Sequence, residues 1–210
     1  MGMLDKSCKE FLAELASAAP VPGGGGAAGL GGAIGMALAN MVANLTIGKE
    51  KYAENEEEIE DLLAEGEKLG KALLASVEKD AEVFLPLAEA YKLPASTDAE
   101  KAHKKSVLSE QAKPACEVPL AAARVAEQGL QINRRLAEIG NKMVISDIGC
   151  GAYFLWAALQ SAVLNMRINL ANIAEPNYVM SIEQEIEWLL SRGEEALKDT
   201  LETMEERMAK

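Results

Sequence analysis

Residues 20–48 read PVPGGGGAAGLGGAIGMALANMVANLTIG and contain no charged side chain. Two prolines lead into a run of glycines, and a long stretch rich in Ala, Leu and Met follows. Because Pro fixes the backbone and removes an N–H donor, whereas Ala and Leu favour helix, this pattern predicts a rigid turn that opens a helix over about 27–47. A helix that is apolar on all sides is typical of the centre of a helical bundle.

The glycine run also has the spacing of a dinucleotide fingerprint, Gly24-x-Gly26-x-x-Gly29. That fingerprint requires a strand before the glycines and a βαβ unit around them. Here a helical pattern and two prolines come first, and no Gly-Lys-Ser/Thr is present, so a nucleotide-binding loop is not predicted. Two interpretations remain: backbone amides that bind an anion or a carbonyl group, or glycines that only permit a tight turn and close packing.

Helical periodicity continues over most of the remaining chain. Seven helices are predicted, and the first three cover about 5–18 (with Phe11, Leu12 and Leu15 facing inward), 27–47 and 54–91. The fourth begins near Asp98 and is separated by Pro114 and Pro119 from a fifth that ends at Gly140, and the last two cover about 147–174 and 182–208. Asp98 is the expected cap of the fourth helix, and Ser181 with Gln184 has the spacing of a capping box for the last. No repeat or linker divides residues 1–210, so we expect one all-α domain, an up-and-down antiparallel multi-helix bundle.

Composition excludes several classes of function. The net charge of −12 argues against nucleic acid as a partner. Three cysteines without a CxxC motif predict a reduced, cytoplasmic protein without a disulfide framework. His103, the single histidine, stands among charged residues, so we expect it to be solvated and expect no metal site or His-based triad.

The charge-free stretches 21–48 and 148–166 are long enough to suggest a membrane span. The first is only weakly hydrophobic, however, since it is rich in Gly and carries Asn40, Asn44 and Thr46. Gly31 and Gly35, four residues apart, would let another helix approach closely, within the chain or across a dimer. We therefore favour a buried helix at a subunit interface and expect no membrane partner.

One acidic residue, Asp80, stands in an apolar stripe of the predicted helix over 54–91. The stripe has the alternating spacing of three and four residues that places side chains on one helical face, and its members are Leu73, Val77, Asp80, Phe84, Leu87 and Tyr91. A buried, unpaired carboxylate is costly, and desolvation would raise its pKa toward the range used in general acid–base catalysis. A structural Asp bonded to a neighbouring helix is the alternative; we favour a catalytic one.

Other polar residues admit two interpretations each. Asp147 at the start of an apolar helix is either a cap or a functional carboxylate. Asn165 and Asn169 share one side of that helix, and Asn40 and Asn44 share one side of the helix over 27–47. Each pair either forms hydrogen bonds to a neighbouring helix or binds a polar ligand. Lys49 and Lys51 lie beside Tyr52, just past a helix C-terminus. They are either solvated cations, which the helix dipole favours at that end, or they bind an anionic substrate tail.

In their order along the chain, these motifs resemble the cyclodeaminase/cyclohydrolase family of folate enzymes. That family comprises the cyclodeaminase domain of formiminotransferase-cyclodeaminase and stand-alone methenyltetrahydrofolate cyclohydrolases. The shared motifs are FLAELA at 11–16, PVPGGG at 20–25, MVANLT at 41–46, GKEKY at 48–52, DAxxF at 80–84, VPL at 118–120, GN at 140–141, SDxG at 146–149 and NxxIN at 165–169. Gly26 is a departure, because the family often has Ser there.

The resemblance implies an all-helical homodimer that acts on the one-carbon unit bridging N5 and N10 of tetrahydrofolate, without another cofactor or a metal. As hypotheses, Asp80 and Asp147 would supply the proton chemistry, and Lys49 and Lys51 would meet the glutamate tail, polyglutamylated or not. The expected substrate-binding residues are Gly23, Gly24, Gly25, Asn44, Tyr52, Asn141, Asn165 and Asn169. Hydrolysis of 5,10-methenyltetrahydrofolate to 10-formyltetrahydrofolate is favoured over cyclodeamination of 5-formiminotetrahydrofolate, because no formiminotransferase domain is present in the sequence.

Overall fold

The computed structural model describes residues 2–209, and these contain helices and loops but no strand. The α-helices are α1 (Cys8–Leu15), α2 (Gly24–Asn44), α3 (Glu56–Tyr91), α4 (Asp98–Ile139), α5 (Ile145–Leu170) and α6 (Pro176–Ala209), with short 3₁₀ turns at Met3–Asp5, Glu50–Asn55 and Lys142–Val144. The prediction of an all-α fold is confirmed. The extents of α2, α3 and α5 are within a few residues of those predicted.

Helices α2 to α5 form a closed ring in which each helix packs against the next, and α5 packs back against α2. Helix α2 runs antiparallel to both neighbours, because positions further along it meet earlier positions of α3 and α5. Gly29 lies against Leu73 and Asn40 against Gly66 of α3, and Gly32 lies against Ala158 and Gly35 against Leu155 of α5. Helix α6 lies outside the ring, in the groove between α4 and α5. The expected up-and-down arrangement is therefore correct, and both ends of the ring are built from helix termini.

Close packing between α2 and α5 depends on glycine. A Cβ atom on Gly35 would lie 2.8 Å from the carbonyl oxygen of Gly151 and 2.8 Å from the Leu155 side chain. The same substitution at Gly31 would meet nothing within 4 Å. Of the two glycines predicted to admit a neighbouring helix, Gly35 does so within the chain, and Gly31 lies open.

The predicted break at Pro114 and Pro119 is wrong, because α4 runs through both prolines. Pro119 has no N–H to donate to the carbonyl of Ala115, four residues earlier. The side-chain amide of Asn169 donates to that carbonyl instead, at 2.6 Å. A side chain from α5 thus replaces the missing helical hydrogen bond, which the local sequence of α4 does not reveal.

Several details at helix ends also differ from the predictions. Thr97 rather than Asp98 caps α4, in a capping box with Glu100. Helix α6 begins at Pro176, so Ser181 lies inside it, where its hydroxyl donates to the carbonyl of Tyr178 at 2.8 Å. In α1 only Phe11 is fully buried, and Leu12 is 58% exposed.

An apolar surface remains exposed on α2 and α5. We call it the α2–α5 face, and its larger side chains are Ile34, Met41, Leu45, Tyr153, Phe154, Leu164 and Ile168. On length and composition alone both helices are apolar enough to cross a membrane, yet about half of each apolar window is already buried against other helices. The described part of the chain thus leaves one side of its ring apolar.

Candidate active site

Asp80 projects from α3 onto the N-terminus of α2. Its carboxylate packs so closely on the backbone of Gly25 that a Cβ atom there would overlap it. The α3 stripe that contains Asp80 is otherwise apolar, and its neighbours Leu73, Val77 and Leu87 are buried. The two features singled out by sequence, the glycine run and the acidic residue of the stripe, therefore meet at one point.

The N-terminus of α2 directs backbone donors at this point. The first hydrogen bond within the helix runs from the N–H of Ala27 to the carbonyl of Gly23, at 3.0 Å. The N–H groups of Gly24, Gly25 and Gly26 therefore have no acceptor inside the helix. The N-cap residue, Gly23, has no side chain to cap them. They give the site hydrogen-bond donors and the positive end of a helix dipole.

The environment of Asp80 raises the pKa of its carboxyl group above the ordinary value for Asp. Burial against α2 and α3 raises the pKa of this carboxyl, and the N–H of Gly26, which donates to it, opposes that shift. Desolvation is the larger of the two causes. Asp80 is thus a carboxyl group whose proton affinity is increased at a site that remains open to a ligand.

A cleft of about 200 Å³ adjoins Asp80 and the glycine run, and Phe84, Asn165, Ile168 and Asn169 also line it. The side-chain amide of Asn165 donates to the carbonyl of Ser161 at 2.8 Å, and that of Asn169 donates to Ala115. Among the described residues no donor reaches the oxygen of either side-chain amide. Phe84 and Ile168 supply apolar walls that suit an aromatic ring.

Five other residues predicted to bind substrate lie together at the opposite end of α2. Asn44, Lys49 and Lys51 are exposed there, beside Tyr52 and Asn141. Asn141 is buried and engaged on all sides: its backbone N–H donates to Thr46, its side-chain amide donates to the carbonyl of Leu45, and its Oδ1 accepts from Met143 and Tyr52. This cluster joins the end of α2 to the loop before α5.

Asp147 belongs to that same distant end. It lies in the first turn of α5, where a carboxylate is favoured by the helix dipole, and it does not cap the helix. Asn165 is eighteen residues further along α5, a helical rise of about 27 Å. Within one chain, therefore, the structure brings Asp80 together with Gly23, Gly24, Gly25, Asn165 and Asn169, and it does not bring Asp80 and Asp147 together.

Sequence reasoning missed Ala115 and Ile168 as parts of the cleft. Ala115 belongs to the site because Pro119 frees its carbonyl and Asn169 then binds that carbonyl. The signal was present in the sequence as a proline four residues after Ala115, inside a helical pattern. Ile168 stands between the two asparagines of the NxxIN motif, where an exposed apolar residue is the sign of a contact surface.

Adjacent glycines offer a test of the packing around Asp80. In Gly25→Ala the new methyl group would displace the carboxylate, and we expect turnover of the substrate to fall on the order of a hundredfold, the usual cost of misplacing a catalytic group by about 1 Å. In Gly26→Ala the nearest atoms would be 3.5 and 3.6 Å away. That variant should keep its activity and gain about 0.5–1 kcal/mol in stability. Steady-state kinetics and thermal unfolding of both variants measure this, and equal activities would contradict it.

Comparison with known proteins gives concordant similarities. The family model described as formiminotransferase-cyclodeaminase matches residues 7–188. A methenyltetrahydrofolate cyclohydrolase of Methylorubrum extorquens is 40% identical over 189 residues, which cover 90% of this chain and 91% of that protein. The mouse formimidoyltransferase-cyclodeaminase is 29% identical over 98% of this chain, which spans only 38% of the mouse protein.

A solved structure also matches closely. The crystal structure of a formiminotetrahydrofolate cyclodeaminase from Thermotoga maritima superposes with a TM-score of 0.84 at 31% identity. The match covers 95% of this chain and 96% of the other. The two chains therefore share one helical architecture over nearly their whole lengths.

Proposed function

This chain belongs to the formiminotransferase-cyclodeaminase family, and from that premise we propose that it hydrolyses 5,10-methenyltetrahydrofolate to 10-formyltetrahydrofolate. The observation that carries the proposal is the position of Asp80, a half-buried carboxyl group against the backbone amides that open α2. The relative from Methylorubrum extorquens, which matches over most of both chains, is named for this activity.

In this proposal Asp80 transfers the protons of the reaction, first as a base and then as an acid. The substrate carries an amidinium cation between N5 and N10. As a water oxygen bonds to the amidinium carbon, the Asp80 carboxylate takes one proton from that water. As the bond between the carbon and N5 breaks, Asp80 returns the proton to N5, and the hydroxyl of the intermediate loses its own proton to solvent as the formyl group forms. One water is consumed and one proton is released.

Charge supports this order of events. A cation bound beside Asp80 lowers the pKa of the carboxyl group and so favours the base form when substrate is present. The formyl group of the product carries no charge, so this lowering of the Asp80 pKa is lost as the reaction proceeds. The amides of Gly24 and Gly25 would donate to a substrate oxygen. Asn165 and Asn169 would orient the pterin ring and the attacking water.

We also propose that the protein acts as a homodimer through the α2–α5 face. The face is about two helices wide and about 30 Å long, or about 600 Å² in projection, close to the roughly 800 Å² per partner of a standard interface. A groove of about 320 Å³ runs along it and shares Gly24 and Asn165 with the Asp80 cleft. The cleft therefore opens toward the surface that a second copy would cover.

A twofold axis that lies in this interface and crosses the helices would exchange the two ends of the face. The end that carries Asp147, Lys49 and Tyr52 in one copy would then approach the Asp80 cleft of the other. This arrangement would unite the two carboxylates that one chain holds apart, and it would give Lys49 and Lys51 a route to the substrate. The reaction uses water and folate alone, so we propose no further cofactor, and we place the enzyme in the cytoplasm.

Cyclodeamination of 5-formiminotetrahydrofolate is the second candidate function, favoured by one observation. The Thermotoga maritima protein with that name matches this chain over 96% of its own length. The presence or absence of a formiminotransferase domain therefore does not separate the two activities. Chemically, the cleft would serve both, since each reaction adds a nucleophile to the same one-carbon centre and then breaks a carbon–nitrogen bond. Hydrolysis adds water and breaks the bond to N5, whereas cyclodeamination adds N10 and releases the imino nitrogen as ammonia.

An absorbance assay distinguishes the two activities. Methenyltetrahydrofolate absorbs in the near ultraviolet and loses that band on hydrolysis, so we expect the purified protein to accelerate its loss above the rate in buffer. No acceleration would contradict the proposed function. Appearance of the same band from formiminotetrahydrofolate, with release of ammonia, would establish the second candidate instead.

A further inference from the structure

A cluster of lysines lies on the same end of the molecule as Asp80. Lys101, Lys104 and Lys105, from the first turns of α4, line a groove of about 270 Å³ together with Ala171 and Asn172 at the end of α5. We call it the lysine groove. In a chain with a net charge of −12, three lysines facing one groove form a local positive region, which attracts anions.

The lysine groove lies next to the Asp80 cleft along the same helices. Helix α4 contributes Ala115 to the cleft and Leu108 to the groove, seven residues and about 10 Å apart. On α5, Ile168 and Asn169 line the cleft, and the chain reaches the groove with Ala171. The two spaces are thus separated by about two helical turns.

Tyr91 at the end of α3 is hydrogen-bonded to two residues that line the lysine groove. Its hydroxyl accepts a hydrogen bond from the side-chain amide of Asn172, at 2.9 Å, and its backbone carbonyl accepts one from Lys104, at 2.6 Å. Lys104 also donates to the carbonyl of Leu93, at 2.9 Å. Lys104 is therefore committed to holding the end of α3, and it positions the wall of the groove rather than a ligand.

The other two lysines of the groove, Lys101 and Lys105, form fewer interactions within the protein than Lys104 does. Lys101 pairs only with Asp98, and both side chains are largely exposed, so the pair contributes little. Lys105 forms no ion pair among residues 2–209. Both ammonium groups are therefore available for an anionic ligand at small cost.

We infer that the lysine groove binds the glutamate tail of the folate, with Lys101 and Lys105 contacting its carboxylates; this inference rests on the proposed function. A folate substrate has a cationic one-carbon centre at one end and carboxylates at the other, with a p-aminobenzoyl ring between them. Asp80 and the lysine groove have the matching order of charge, about two helical turns apart. Lys49 and Lys51 lie at the other end of α2, about 30 Å away within one chain.

The test compares substrates with one and with five γ-linked glutamates. In the unmodified protein we expect the longer tail to lower KM. In the double variant Lys101→Gln, Lys105→Gln we expect KM for the pentaglutamate to rise about tenfold, on the scale of two exposed ionic contacts, with kcat nearly unchanged. The effect on the monoglutamate should be smaller, and raised salt should weaken tail binding in the unmodified protein more than in the variant.

The competing site is the pair Lys49 and Lys51, which the proposed dimer would bring toward the cleft from the partner copy, and Lys49→Gln, Lys51→Gln tests it. If that variant loses the preference for the long tail while the Lys101, Lys105 variant keeps it, the inference is wrong. Lys68→Gln, Lys71→Gln, at two exposed positions of α3, makes the same change in charge away from both sites and should leave KM for both substrates unchanged. If the unmodified protein shows no preference for tail length, the inference is also wrong. Should methenyltetrahydrofolate not be turned over, calorimetric titration with mono- and pentaglutamyl 5-formyltetrahydrofolate tests the lysine groove independently of the proposed reaction.

Discussion

Asp80→Asn is expected to lower turnover of methenyltetrahydrofolate by about 10²–10⁴-fold, the usual contribution of a general acid–base group. An asparagine fills the same space and still accepts the hydrogen bond from Gly26, but it does not take a proton from water. The measurement is the initial rate of absorbance loss at saturating substrate. Glu82→Gln, which neutralises an exposed carboxylate two residues further along α3, is the control and should retain full activity.

The same variant should be more stable than the unmodified protein at neutral pH. The pKa of Asp80 is raised in the folded state, mainly by desolvation. Below the pKa of the unfolded chain the carboxyl group is protonated in both states. As pH rises through the folded-state value, the folded protein binds more protons than the unfolded chain, so stability is lost in that window. Removing the charge removes this loss, and thermal unfolding at pH 7 should therefore occur at a higher temperature in Asp80→Asn.

The pH dependence of catalysis follows from the same shift. The free enzyme needs the Asp80 carboxylate, so kcat/KM should fall on the acid side with an apparent pKa above the ordinary value for Asp, about 3.9. A variant that is both fully active and unchanged in its pH profile would remove Asp80 from the mechanism. A variant that is inactive and less stable would identify Asp80 as a structural residue instead.

Much of this site was predictable because two features of the sequence indicate it, the apolar stripe on α3 and the proline and glycine run before α2. The stripe on α3 places Asp80 inward, and the prolines before Gly23 fix where α2 starts. Their meeting follows from the antiparallel packing of adjacent helices joined by a short loop. The roles of the individual site residues stay predictions until the variants are measured.

Two things were not predictable from local pattern. The continuity of α4 depends on Asn169, since only a donor from another helix makes Pro119 tolerable inside it. The separation of Asp80 from Asp147, Lys49 and Tyr52 depends on which end of α2 each residue packs against, and only the packed helices show that. What the sequence of one chain does not contain is whether a second copy brings these groups back together.

A single charge on the α2–α5 face should separate the proposed dimer. Ile34 lies near the middle of α2 and is 42% exposed in the described chain. In the dimer Ile34→Glu would bury a carboxylate without a partner, at a cost of several kcal/mol per subunit, which exceeds what such an interface tolerates. We expect a monomer by sedimentation or light scattering, and we expect loss of most catalytic activity, because the cleft would then lack the end that carries Asp147.

Leu74→Glu supplies the matched control for this substitution. Leu74 is 39% exposed, nearly the same as Ile34, but it lies on α3 and outside the α2–α5 face. A glutamate there enters a helix surface that is already charged, so the oligomeric state and the activity should not change. Equal behaviour of the two variants, both dimeric and active, would contradict the dimer through this face. An unmodified protein that is monomeric in solution and binds lipid vesicles would identify the face as a membrane contact instead. A monomeric and fully active Ile34→Glu would leave Asp80 to act within one chain, and Asp147 would then have no part in the chemistry.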